Sequence, residues 1–303
     1  MVEIAGPEIP SQVYPYNSVV YIESAGPFGA VHGSGVLVAP DEVLTCSHLV
    51  WRSDAGAATA VAAAPALNGN DEPYGAIPVK DFHFYAISDS GDLLASSDSQ
   101  YDFALLHLSQ PVPGVVPMQL APNFDGGPIH ATGYPDYLGG TVMDDVLTTA
   151  DRPLFLSDLD LSDPLGSGMS GGPLWQALST PQGDQTYCLG VVSTGYFNGE
   201  LTPTVLSDIQ NWEAQDSNPN LVPVGTPPTT SLGIPQAVPS PGFAPLAGAD
   251  ILGDLAPYLP GNAPSAYGSN DAGASAAPAA ATSGLFGSER LALPLLLSLG
   301  GGS

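Results

Sequence analysis

Gly33-Ser-Gly-Val-Leu-Val-Ala39 and, after Pro40-Asp41, Glu42-Val-Leu-Thr45 are two short apolar runs parted by a turn pair. The same rhythm continues in both directions. Ser18-Val-Val-Tyr-Ile-Glu23 precedes them, and Ile77 to Tyr85, Asp102 to Leu108, Pro128 to Gly133 and Tyr187 to Thr194 follow. Each run is rich in Val, Ile, Leu and Tyr and is bounded by Gly, Pro, Asp or Ser, the signature of strands and turns. No amphipathic helix separates them. An all-β domain, barrel or sandwich, is expected over the first 215 residues, with one terminal helix where Val205, Leu206, Ile209 and Trp212 share a face after Pro203-Thr204.

Composition narrows the function. The chain has 303 residues, 44% of them hydrophobic, enough for a sizeable core. Four Lys+Arg against 30 Asp+Glu leave a net charge of −26, although only 11% of residues are charged, so the imbalance reflects missing bases. Arg52, Lys80, Arg152 and Arg290 cannot neutralise a phosphate backbone, which excludes nucleic acid and anionic membrane surfaces as partners. No run approaches the roughly 20 apolar residues of a membrane span. Cys46 and Cys188 are too few for a disulfide framework and are either one bridge or two buried thiols. Met1 to Pro7 has neither a basic nor an apolar leader segment. After residue 215, 51 of the remaining 88 residues are Pro, Gly, Ala or Ser, which predicts an extended or disordered low-complexity tail over 216–303.

Three segments can carry chemistry. Gly166-Ser-Gly-Met-Ser-Gly-Gly-Pro173 surrounds Ser170 with glycines, and successive N–H groups in such a turn can converge on an anion. A nucleophilic serine needs that, because donors fixed where an oxyanion develops are commonly the largest catalytic contribution. Leu44-Thr-Cys-Ser-His48 places a histidine directly after an apolar strand, and Tyr101-Asp102-Phe-Ala-Leu-Leu106 places a carboxylate at the mouth of another, where its charge requires a partner. Singly, each of these reads as an ordinary turn, a core histidine or a strand cap. Their order, His48, Asp102, Ser170, with gaps of 54 and 68 residues, gives them joint meaning.

The segments LTCSHLV, DFALL and GSGMSGGP resemble the His, Asp and Ser motifs of the chymotrypsin-like, or trypsin-fold, serine peptidases. Ala131-Thr-Gly-Tyr-Pro135 and Gly190-Val-Val-Ser-Thr-Gly195, followed by Asn198-Gly199, are similar to that family's strands around the second barrel, closest to the bacterial glutamyl-endopeptidase-like branch. The resemblance implies two perpendicular six-stranded antiparallel β-barrels with a C-terminal helix, divided as 1–115 with His48 and Asp102, 116–215 with Ser170, and the 216–303 tail. It implies a serine endopeptidase in which His48, Asp102 and Ser170 are catalytic, Gly168 and Ser170 N–H groups form the oxyanion hole, and Leu165, Val192, Ser193, Thr194 and Gly195 meet the substrate.

Departures from the family pattern matter too. Met169 stands where trypsin-type zymogens carry an Asp, and Leu189 to Tyr196 contains no histidine, so glutamyl specificity is not expected. With Leu165 and Val192 at the pocket, a medium-sized apolar residue is expected before the scissile bond; Asp163 lies nearby in sequence. His32, His83, His107 and His130 stand singly on their strands and, like the acidic turns Asn68 to Glu72 and Asp158 to Asp163, are read as no metal site. The expected protein is a secreted bacterial monomer acting on peptides or proteins without cofactor. A catalytically silent module on the same scaffold, or a protein that processes only its own termini, is the alternative.

Overall fold

The computed structural model describes residues 9–88, 94, 96–122, 124, 126–151, 158–162, 164–180, 183–217 and 237–239. The first half contains β1 (Val19–Gly26), β2 (Gly29–Ala39), β3 (Glu42–Thr45), the short ribbon β4 (Trp51–Arg52) and β5 (Gly56–Ala57), β6 (Ala60–Pro65), β7 (Ile77–Tyr85), a single turn α1 (Ser96–Ser99) and β8 (Ala104–Leu108). The second contains β9 (Gln119–Leu120), β10 (Gly127–Gly133), β11 (Asp144–Asp151), β12 (Asp158–Leu161), β13 (Pro173–Thr180), β14 (Gly183–Val191) and β15 (Phe197–Glu200), then α2 (Pro203–Ser217) and, further on, β16 (Ala237–Pro239).

Two closed barrels result, in the trypsin-like fold. In the first, the order β7-β6-β1-β2-β3-β8 closes through a β7–β8 pairing, and β16 adds to the outer side of β7. In the second, β13-β10-β11-β12-β15-β14 closes through β13–β14, with β9 laid parallel on β14. Each closed barrel has six antiparallel strands. Closure removes the unpaired edges that an open sheet would expose.

The period of two along β1 shows how the barrels meet. Val20 and Ile22 point into the larger core cluster with Val36, Leu44, Phe82 and Leu105, whereas Val19 and Tyr21 cluster with Tyr134 and Met143 of the second half. One strand therefore serves a barrel interior and the seam between barrels. Tyr16 strengthens that seam, reaching Asp145 through its hydroxyl at 3.1 Å and meeting the Trp175 ring edge-on.

The expected terminal helix is present. Pro203 opens it, Thr202 Oγ1 accepts the Val205 N–H at 3.2 Å as a cap, and Val205, Ile209 and Trp212 are buried against the first-barrel core, with Leu206 only partly covered. One piece of the Pro-rich segment is more ordered than its composition predicts: Ala237–Pro239 pairs antiparallel with Tyr85 to His83 of β7. Most of the rest of 216–303, including the apolar run Leu291 to Leu299, lies outside the described residues, as does Asp163.

Candidate active site

His48 and Asp102 are brought together by one strand pairing. β3 and β8 run antiparallel with Thr45 opposite Ala104, so the 3-10 turn Ser47–Leu49 that follows β3 lies against the residues that precede β8. Ser47 Oγ fastens this junction by donating to the Phe103 carbonyl at 2.6 Å. The His48 backbone N–H then donates to Asp102 Oδ1 at 3.0 Å and its Nδ1–H to Asp102 Oδ2 at 2.7 Å. Ser193 Oγ adds a third donor to Oδ2 at 2.5 Å.

Asp102 is fully buried. Three donors offset the cost of dehydrating its carboxylate, which an unpaired buried charge could not bear. Donation from Nδ1 leaves Nε2 as the free lone pair of the imidazole. Burial opposes the imidazolium, but Cys46 and Asp102 outweigh it and hold the His48 pKa well above its ordinary value. Burial also pushes the Cys46 thiol up. Cys46 and Cys188 are both free and buried, which decides between the two readings of the cysteines in favour of thiols.

Ser170 lies on the turn between β12 and β13, and its surroundings are backbone. Ser34 of β2 reaches across from the first barrel: its N–H donates to the Ser170 carbonyl at 2.7 Å and its hydroxyl to the Gly168 carbonyl at 2.7 Å, while it accepts the Tyr134 N–H at 2.9 Å. Thr45 Oγ1 in turn donates to the Ser34 carbonyl. A chain of hydrogen bonds thus runs from the strand before His48 to the turn that carries Ser170. Glycine is required twice. Gly168 has φ +86 and a Cβ there would stand 2.3 Å from the Tyr134 carbonyl oxygen; Gly171 has φ +81 and a Cβ would stand 2.0 Å from Thr45 Oγ1.

Within this turn Met169, Gly171 and Gly172 donate to the carbonyls of Gly166, Val192 and Met169. Among the described residues the N–H groups of Gly168 and Ser170 have no acceptor. Such a pair of unpaired backbone donors flanking a serine can bind a developing oxyanion. No hydrogen bond joins Ser170 Oγ to His48 Nε2 among the described residues; the atom found against Nε2 is Cys46 Sγ, at 3.6 Å. Catalytic hydrogen bonds of this kind are often long before substrate arrives.

The remaining residues expected at the site occupy one wall of the second barrel. Val192 is buried in its core cluster with Leu165 packed against it, and the Leu165 N–H donates to the Gly195 carbonyl at 3.0 Å. Ser193 and Thr194 spend their N–H groups internally, on Asn198 Oδ1 at 3.0 Å and the Phe197 carbonyl at 2.9 Å. The Gly195 N–H and Ser193 carbonyl remain unpaired among the described residues. Asn198, fully buried, is a positioning residue that the sequence quotes in Asn198-Gly199 without revealing its role: its amide also donates to the carbonyls of Leu159 and Tyr196. Ser34 is legible in the sequence only as a strand residue, and Cys46 only as half of a bridge or a buried thiol. Cys46, His48 and Asp102 offer ligand atoms within 4.8 Å of one another, but Asp102 occupies the Nδ1 side, so an ion on Nε2 would find only Cys46 as its second protein ligand.

The chain resembles known proteins in sequence and in fold. Residues 33–181 match the family described as the trypsin-like peptidase domain. Over 98 residues the chain is 32% identical to a Bacillus subtilis (strain 168) protein named extracellular metalloprotease, a stretch spanning 32% of this chain and 30% of that relative's length. Among solved structures, a Glu endopeptidase in complex with MPD superimposes with a TM-score of 0.55 at 21% identity, covering 69% of this chain and 96% of its own. The thermostable serine protease AL20 from an extremophilic microorganism gives 0.53 at 18%, covering 66% and 97%. Protease Anisep from Arthrobacter nicotinovorans gives 0.51 at 20%, covering 63% and 93%. Residues 33–181 therefore match the trypsin-like peptidase domain, within a chain that has the trypsin-like two-barrel fold.

Proposed function

We propose that the protein is a serine endopeptidase that cleaves peptide bonds through an acyl-enzyme, with His48, Asp102 and Ser170 as its catalytic residues. The observation that carries this reading is the buried His48–Asp102 pair at 2.7 Å, together with a serine turn whose Gly168 and Ser170 N–H groups are unpaired among the described residues. Ser170 Oγ attacks the scissile carbonyl while His48 Nε2 takes the hydroxyl proton. The tetrahedral oxyanion is received by the N–H groups of Gly168 and Ser170. His48 then returns the proton to the leaving amine, releasing the first product and leaving Ser170 acylated. Water, deprotonated by His48, repeats the attack and regenerates the hydroxyl. Asp102 fixes the tautomer and stabilises the imidazolium, and Ser193 and Asn198 hold Asp102 and the adjoining strand.

Substrate backbone would align with Ser193 to Gly195, using the unpaired Gly195 N–H and Ser193 carbonyl. Leu165, Val192, Ser193, Thr194 and Gly195 carry no charge, which favours an uncharged side chain before the scissile bond. No helix of the described residues is long and apolar enough to cross a membrane. In line with the trypsin-like peptidase domain, the proposed substrates are peptides or proteins; action outside the cell and a monomeric state belong to the same proposal.

A second reading, the silent binding module, is favoured by one contact, Cys46 Sγ at 3.6 Å from the Nε2 that Ser170 must reach. Turnover of a peptide library by wild type and Ser170→Ala decides between them. The endopeptidase loses at least about 10³-fold in kcat/KM on that substitution. Wild-type protein with no turnover above the variant supports the module.

A further inference from the structure

On the first barrel, beyond the triad, β3, β7, β8 and the end of α2 converge on a cluster of a different kind. His107 of β8 stands with Nδ1 3.3 Å from Asp81 of β7 and 3.7 Å from Asp216 of α2, and with Nε2 3.8 Å from Glu42 of β3 and 3.7 Å from the more exposed Asp41. His83 of β7 contacts Asp216 Oδ1 at 2.9 Å. The side chains of Glu42, His83, His107 and Asp216 are each at least nine-tenths buried. Four polar atoms in this one place, Glu42 Oε2, Asp81 Oδ1, His107 Nδ1 and Asp216 Oδ2, are buried without a hydrogen-bond partner among the described residues. Buried polar groups are ordinarily satisfied, and four orphans converging from four elements call for a common partner.

We propose that His107 and Asp216, with Glu42, Asp81 and His83 around them, form a binding site for a divalent transition cation of the Zn²⁺ type. Glu42, His107 and Asp216 offer donor atoms within 4.8 Å of one another, and so do Asp81, His83 and Asp216. Ligand atoms around a tetrahedral ion with bonds of about 2.0–2.2 Å stand roughly 3.4 Å apart, close to the spacings already present. Two imidazoles among carboxylates suit Zn²⁺ better than Ca²⁺, which takes six to eight oxygens. A chain with only four Lys+Arg has little else with which to neutralise these acids.

This site is independent of the proteolytic reading but is mechanically joined to it. Glu42 and His107 are opposite partners in the β3–β8 ladder, and those strands lead into His48 and out of Asp102. An ion there would clamp both strands to the end of α2. Asp81, two residues before His83 on one face of β7, is the local signal in the sequence; Asp216 lies 133 residues from His83 and becomes a neighbour only when the barrel closes.

The test uses the full chain with Ser170→Ala to prevent self-digestion, stripped with chelator and given one equivalent of ZnCl₂. Anomalous diffraction at the zinc edge is expected to show one peak between His107 and Asp216, and chelator is expected to lower Tm reversibly. In solution, His107→Ala and Asp216→Asn weaken Zn²⁺ binding at least tenfold, whereas Cys46→Ser leaves it unchanged. No peak, or a peak only at Cys46 and His48, overturns the proposal. The diffraction result stands even if the cluster variants fail to fold.

Discussion

In the first barrel His48 and Asp102 are joined side chain to side chain, with the carboxylate fully buried and donors on both of its oxygens. In the second, Ser170 sits on a turn whose shape is set by main chain: glycines at positive φ, carbonyls taken by Ser34, and two N–H groups left unpaired among the described residues. The first half is held by charge and the second by conformation. A polar pair can be placed by two strands in register, since both members lie next to a ladder. An oxyanion site cannot, because a ladder consumes the N–H groups that the chemistry needs. Side chains cross the divide both ways: Ser34 reaches from the first barrel to the Gly168 carbonyl, and Ser193 reaches from the second to donate to Asp102.

The largest effect should come from breaking the charged half. Asp102→Asn is expected to lower kcat/KM by about 10³ to 10⁴-fold while leaving the fold intact, since an amide can hold the imidazole in the wrong tautomer. The pH profile gives a second readout. Only neutral imidazole accepts the Ser170 proton, so activity rises with pH through the His48 pKa. Because that pKa is held well above 6.5, the acid limb of the wild-type profile lies above pH 6.5. Removing the carboxylate charge moves the limb to lower pH. A limb that stays in place in Asp102→Asn separates the carboxylate from the base.

Breaking the conformational half should be costly in another way. Gly171→Ala forces a Cβ to within 2.0 Å of Thr45 Oγ1 and 2.2 Å of the Ser34 carbonyl oxygen, at φ +81. Turnover is expected to fall at least about 10²-fold, with a loss of stability of about 2 kcal/mol or more that chemical denaturation would register. An alanine variant with wild-type activity would show that the turn is not held as described. The smallest effect sharpens the comparison where a side chain of the second barrel reaches the charged half. Ser193→Ala removes one donor of three from Asp102, and a fall of about tenfold in kcat/KM with little change in Tm is expected from steady-state kinetics and a thermal melt.

The same contrast governs what could be read from the sequence. Strand runs such as Gly33 to Ala39 declare themselves through local composition, and His48, Asp102 and Ser170 sit at the ends of such runs, where their chemistry is conspicuous. Ser34, by contrast, looks like one more strand residue, and its bonds to Gly168 and Ser170 exist only because two barrels meet. Cys46 reads in the sequence as half of a bridge or a buried thiol; it is the thiol, and its place against Nε2 follows from the turn at Ser47. The cluster around His107 depends on Asp216 arriving from the end of a helix more than a hundred residues away. Short-range pattern gives strands, turns and motifs; closure of the barrels supplies every contact that lies between them.

The central claim is that Ser170 is an activated nucleophile facing working oxyanion donors. Intact mass after incubation with a fluorophosphonate probe tests it most directly, because adduct formation needs both. One adduct per chain on Ser170, absent from Ser170→Ala, is the expected result. Folded wild-type protein that gains no mass would contradict the account and leave the silent module as the reading of the cleft.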